Sequence, residues 1–126
     1  MQNAQQFYIN GAWVAPQDGR PFEVINPSTE DAIATISLGG QADTDAAVAA
    51  AKAAFPGWAM PSKEERLEAL KRLLDAYKAR SEDMAEAISQ EMGAPIAMAK
   101  SAQVGAGAWH LQDAITTLQG FELDRP

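Results

Sequence analysis

Apolar and polar positions come in short bursts up to Gly40 and then settle into a helical period. Phe7-Tyr-Ile9 and Trp13-Val14 flank Asn10-Gly11. That step favours a two-residue hairpin, because both central positions of a type I′ turn need positive φ, which Asn and Gly tolerate. A loop holding Pro16, Gly19 and Pro21 leads to Phe22-Glu-Val-Ile25. Asn26-Pro-Ser-Thr-Glu30 reads as a turn with φ pre-set at Pro27. Ala32-Ile-Ala-Thr-Ile-Ser-Leu38 is a further strand candidate closed by Gly39-Gly40, so the pattern predicts a small antiparallel meander over 7–38.

The helical half begins with an alanine-rich segment over 43–55, with Asp43 as its cap and Pro56-Gly57 as its stop. Ser62-Lys-Glu-Glu65 is a capping box: the serine oxygen accepts a backbone N–H while the glutamate reaches back. Leu67, Leu70, Leu74 and Tyr77 recur at helical spacing. Met84, Ile88 and Met92 stay in phase with them, predicting one apolar stripe along 62–92. The pattern leaves open whether Ser81 caps a second helix or sits in a bend. Gly93 closes this stretch and Pro95 forbids its continuation. A third helix over 96–118 carries small residues at Ala99, Ala102, Ala106 and Gly107.

At 126 residues the chain is one domain at most by the usual length prior. A balance of 10 basic against 17 acidic residues, net −7, argues against nucleic acid and anionic membrane as partners, since both need a basic patch. No stretch approaches the ~20 apolar residues of a membrane helix, and no leader precedes Phe7, so a cytoplasmic protein is expected. With no cysteine, the chain can form neither a disulfide, nor a zinc–thiolate site, nor a cysteine nucleophile.

The remaining candidate chemistry weighs mostly towards structure. Gly105-Ala-Gly107 invites a dinucleotide-loop reading, but a third glycine would fall where His110 stands and no strand precedes it; a close-packing helix face is the competing account. Ser101, His110 and Asp113 suggest a nucleophile, a base and its orienter. Within one helix, however, Ser101 and His110 are roughly 13 Å apart along the axis. Glu64, Glu68, Lys71 and Arg72 read as a solvated face, and Met84, Met92 and Met98 as core filler. Glu91 lies in the last turn before Gly93, where the helix dipole disfavours a carboxylate. It is either screened by water or holds a cation.

The order of several short motifs carries a resemblance. Tyr8-Ile-Asn-Gly-Ala-Trp13, Val24-Ile-Asn-Pro-Ser-Thr-Glu30, Ala46 to Trp58 with its Ala-Phe-Pro-Gly-Trp ending, Arg66-Leu-Glu-Ala-Leu70 and Glu91-Met-Gly-Ala-Pro95 together resemble the start of an aldehyde dehydrogenase. Gln103-Val-Gly-Ala-Gly107 is similar to a bacterial branch of that superfamily. The resemblance implies an α/β parent fold. Residues 1–126 would then be the N-terminal segment of its dinucleotide-binding domain, an antiparallel β-meander followed by three helices, with the catalytic domain absent. It also implies a parent that oxidises an aldehyde to a carboxylic acid with NAD or NADP through a cysteine thiolate. No catalytic or cofactor-binding residue is then expected in this chain, which would be inactive and bind no nucleotide by itself. The helix around Ala102 to His110 would help wall the substrate entrance.

The resemblance further implies a monovalent cation, which family members often hold between a carbonyl near Val24-Ile25 and a carboxylate at the position of Glu91. Ile25 and Glu91 are thus the implied ligands of sodium or potassium, which require oxygen donors. The expected partners are the remainder of the dehydrogenase or a second copy, as an oligomer or as a dimer that swaps the third helix. A stand-alone, non-catalytic helical interaction module is the alternative, and a nucleotide binder without chemistry is the third reading.

Overall fold

The computed structural model describes residues 3–122, which fall into two compact units divided between Met60 and Pro61. The first holds β1 (Phe7–Ile9), β2 (Ala12–Val14), β3 (Arg20–Ile25), β4 (Ala32–Leu38) and α1 (Gln41–Ala59). The strands form two separate antiparallel pairs, β1 with β2 and β3 with β4, rather than one continuous meander. Asn10 and Gly11 take φ of 53° and 78°, the turn that their side chains predict. This register sets Tyr8 opposite Trp13, edge to face at 5.3 Å.

At the second hairpin, the Asn26 carbonyl accepts from the Glu30 N–H (2.8 Å) and its side chain accepts from the Ser28 N–H (2.9 Å). Glu30 bends the chain back at φ 62°. The register then shifts between Val24, opposite Ala34, and Ile25, opposite Ala32, so that Ile33 is the extra residue of a bulge in β4.

Asp43 is not the cap of α1. Gly40 occupies that position, and Asp43 is the third helical residue. Its carboxylate reaches back to the Gly40 N–H (2.9 Å) and across to the Gln17 N–H (2.9 Å). Among the described residues of this unit it is the one that is buried. The helix also runs through Pro56 instead of ending before it. Proline's fixed φ suits a helix, and Pro56 is exposed, where the loss of one backbone N–H is tolerated.

The second unit holds α2 (Lys63–Ala79), α3 (Ser81–Met92), a short α4 (Ile96–Met98), a π turn (Ala99–Gln103) and α5 (Val104–Gly120). The capping box forms, with Glu65 N–H donating to Ser62 Oγ (3.2 Å) and Ser62 N–H to Glu65 Oε2 (2.8 Å). α2 and α5 run antiparallel. Lys63 Nζ, at the start of α2, donates to the Gln119 carbonyl (3.1 Å), while the Tyr77 hydroxyl, near its end, donates to the Val104 carbonyl (3.0 Å). Between these ties Leu74 and Ile115 are buried, with Leu67 and Leu70 half-buried, so the leucine stripe is covered within the unit.

The stripe does not continue into α3. Arg80 breaks the helix with φ −114° and ψ 20°, and Ser81 opens α3 with its hydroxyl donating to the Lys78 carbonyl. After that break the buried face is Ala85 and Ile88, whereas Met84, Met92 and Met98 are exposed rather than core filler. Gly93 ends α3 in the left-handed region at φ 70°, as a helix stop requires.

Candidate functional site

The core of the second unit is where the small-residue motif finds its explanation. Ala85, Ala99 and Val104 form a buried cluster against which Tyr77 and Ile88 pack. Gly107 lies one turn beyond Val104, under the Tyr77 ring. A Cβ added there would stand 2.3 Å from the Tyr77 hydroxyl oxygen and 2.7 Å from its ring carbon. A side chain at 107 would therefore have to push the Tyr77 ring aside. Gly105, in contrast, faces open space. Both glycines lie inside α5, so their amides are engaged along the helix and present no cradle for a pyrophosphate. The residues present do not fit a dinucleotide at this motif.

The other candidates stay apart. His110 stacks edge-on against Trp109 at 4.8 Å, both exposed, and no hydrogen bond links Ser101, His110 and Asp113 among the described residues. Glu68 and Lys71 form an exposed ion pair at 2.7 Å, which holds the Glu68 carboxyl below its ordinary range. Sequence reasoning missed a second ion pair, Lys100 with Glu82 of α3. The hydrogen bond and charge of Glu82 raise the Lys100 ammonium above its ordinary range. Also missed was Gln103, whose buried Oε1 has no partner.

Ile25 closes β3 in the first unit, and Glu91 is exposed in the last turn of α3 in the second. A backbone carbonyl and a carboxylate are oxygen donors suited in chemistry to a hard cation. Among the described residues no cluster of three or more His, Asp or Glu side chains could hold a metal. The shallow depression between the first hairpin and α1 is lined by Tyr8, Ile9, Asn10, Gly11 and alanines of α1. It brings together no nucleophile, base or carboxylate pair.

Comparison with known proteins decides the family. The model of the aldehyde dehydrogenase family matches residues 13–122. The chain belongs to the aldehyde dehydrogenase family. It is 41% identical over 98% of its length to the 3-succinoylsemialdehyde-pyridine dehydrogenase of a Pseudomonas species. Its structure superposes on an aldehyde dehydrogenase from Bartonella henselae with a TM-score of 0.94, at 47% identity over 97% of the chain. It also superposes on a mutant aldehyde dehydrogenase C from Pseudomonas syringae, solved with NAD+ and octanal, with a TM-score of 0.95 at 41% identity over 98% of the chain. In all three cases the chain spans 26% of the relative's length. These likenesses establish it as an N-terminal portion of an aldehyde dehydrogenase with that family's α/β parent fold. Among the described residues no helix is long and apolar enough to cross a membrane.

Proposed function

We propose that this chain is the N-terminal scaffold of a cytoplasmic oxidoreductase that oxidises an aldehyde to a carboxylic acid with NAD or NADP. The observation that carries this reading is the match of nearly the whole chain, in sequence and in fold, to about a quarter of each relative. The family's chemistry uses a cysteine thiolate to attack the carbonyl, and this sequence has no cysteine. Its own residues therefore contribute packing surfaces rather than a nucleophile. The nicotinamide would supply hydride acceptance in the whole enzyme, and no group described in this chain is assigned to it. Calorimetric titration of the chain with NAD is expected to give no binding, and assays with short aliphatic and aromatic aldehydes no turnover. Tight binding, or turnover with contaminating enzyme excluded, overturns the scaffold reading.

The monovalent cation implied at Ile25 and Glu91 belongs to the same proposal. Sodium or potassium should raise the melting temperature relative to a bulky organic cation, and Glu91→Gln should remove the difference. An unchanged cation response in the variant counts against the site.

The second reading, a stand-alone helical interaction module, is favoured by the second unit's own caps, ties and buried cluster. The two are separated by the size of the endogenous protein, read with an antibody against the chain and an intact mass. A species several-fold above 13.4 kDa supports the scaffold, and one at 13.4 kDa supports the module.

A further inference from the structure

The π turn sits between two helical faces that are out of phase by one residue. In α5 the covered positions are Val104, Gly107, Leu111, Ile115 and Leu118, a regular helical progression. Traced backwards through a regular helix, that progression reaches Lys100, four residues before Val104. The position that is fully buried is instead Ala99, five residues before Val104. Each residue turns an α-helix by about 100°, so an uninterrupted helix in the phase of α5 would drive Lys100 into the place Ala99 holds. An uninterrupted helix in the phase of Ala99 would turn Gln103, Ala106, His110 and Asp113 towards α2 instead.

Neither alternative is tolerable, because one buries an ammonium and the other a carboxylate and an imidazole. The π turn admits one extra residue, and the Val104 N–H accordingly bonds to the Ala99 carbonyl. Both sides are pinned. Ala99 is pinned in the core, with Lys100 held outside by Glu82, and α5 is pinned by the Tyr77 hydroxyl on the Val104 carbonyl and the ring seated on Gly107. The buried, unpartnered Oε1 of Gln103 marks where the accommodation is least satisfied.

We propose that Ala99–Gln103 is a one-residue phase corrector, and that it is also the hinge at which this helix opens first. Deleting the exposed Ser101 places Val104 four residues after Ala99 and leaves Lys100 next to Ala99, so a regular helix then satisfies both faces. Thermal unfolding of the 126-residue chain is expected to put this deletion within about 4 °C of the unaltered protein. Deleting Asp113, also exposed but inside regular helix, throws Ile115 and Leu118 off the covered face. It is expected to lower the midpoint by more than about 10 °C or to remove the cooperative transition. A Ser101 deletion as damaging as the Asp113 deletion overturns the phase corrector. In the unaltered chain, amide hydrogen exchange at residues 102–104 should run at least about tenfold faster than at residues 111–115. Equal protection of the two segments overturns the hinge.

Discussion

Single residues in this chain do more structural work than their types announce, and Asp43 is the clearest case. An acidic residue near the start of a helix reads as a cap that favours the dipole. In the structure its two oxygens serve backbone N–H groups separated by 23 residues of sequence, Gln17 and Gly40, and so fasten the loop after β2 to the start of α1. Removing it strands two partly buried donors, and each stranded donor costs ~1–3 kcal/mol. Asp43→Ala is expected to destabilise the first unit by ~2 kcal/mol or more, read as the loss of denaturant midpoint in urea. Asp43→Asn, which keeps one acceptor, should fall between the variant and the unaltered chain. A midpoint unmoved by Asp43→Ala would show that the loop holds without this carboxylate. Gly107 makes the complementary point. Its membership of a small-residue face was legible in the sequence, but its partner, the Tyr77 ring, lies thirty positions earlier and no local pattern names it.

Among the elements, those specified by neighbouring residues were the legible ones. The Asn10-Gly11 hairpin, the Ser62–Glu65 box and the Gly93 stop each rest on groups within a few positions of one another, and each forms as its chemistry dictates. The continuous stripe and the helix stop at Pro56 failed, and the division of the strands into two pairs was illegible, for the opposite reason. Strand pairing, helix direction after Arg80 and the environment of Pro56 depend on packing that a periodicity does not contain. The π turn is intermediate, since the five-residue spacing from Ala99 to Val104 was present in the sequence but became a signal only once both were seen to be buried.

The tie from this turn to α3 has a pH signature. The folded-state pKa of Lys100 is raised by Glu82, so the contribution of the pair is fully present below the ordinary lysine range and is lost as pH rises through the raised value. Stability measured against alkaline pH should therefore fall less steeply in Lys100→Met than in the unaltered chain, with the difference shrinking in high salt because both side chains are exposed. Parallel alkaline slopes for the two proteins would show that the pair contributes nothing measurable.

For the whole molecule the decisive quantity is how little large apolar surface the chain covers. Among the described residues the buried hydrophobic ones are Leu74, Ala85, Ala99, Val104 and Ile115, all in the second unit, and two of them are alanines. Phe55, Trp58 and Met60 at the end of α1, and Met92, Ile96 and Met98 around the end of α3, are exposed, with Met60 at 83% and Phe55 at 66%. At ~25 cal/mol per Å² of apolar area, leaving such side chains in water forgoes ~1.5–3 kcal/mol each. Contiguous apolar patches beyond a few hundred Å² usually mark an interface. In the proposed parent enzyme the cover is the remainder of the dehydrogenase, whose relatives are nearly four times the length of this chain. Under the same proposal, the cover expected in isolation is a second copy, as an oligomer or through exchange of the last helix between copies. Sedimentation at micromolar concentration is expected to show dimers or larger species, accompanied by binding of an apolar dye that weakens as the protein associates. A charge substitution at Phe55, exposed on α1, should shift that equilibrium towards monomer if α1 supplies the sticky face, whereas an exchanged last helix should be indifferent to it. A monodisperse monomer that binds no dye would mean that the exposed residues are satisfied in solution without a partner, and the scaffold reading would lose its physical motive.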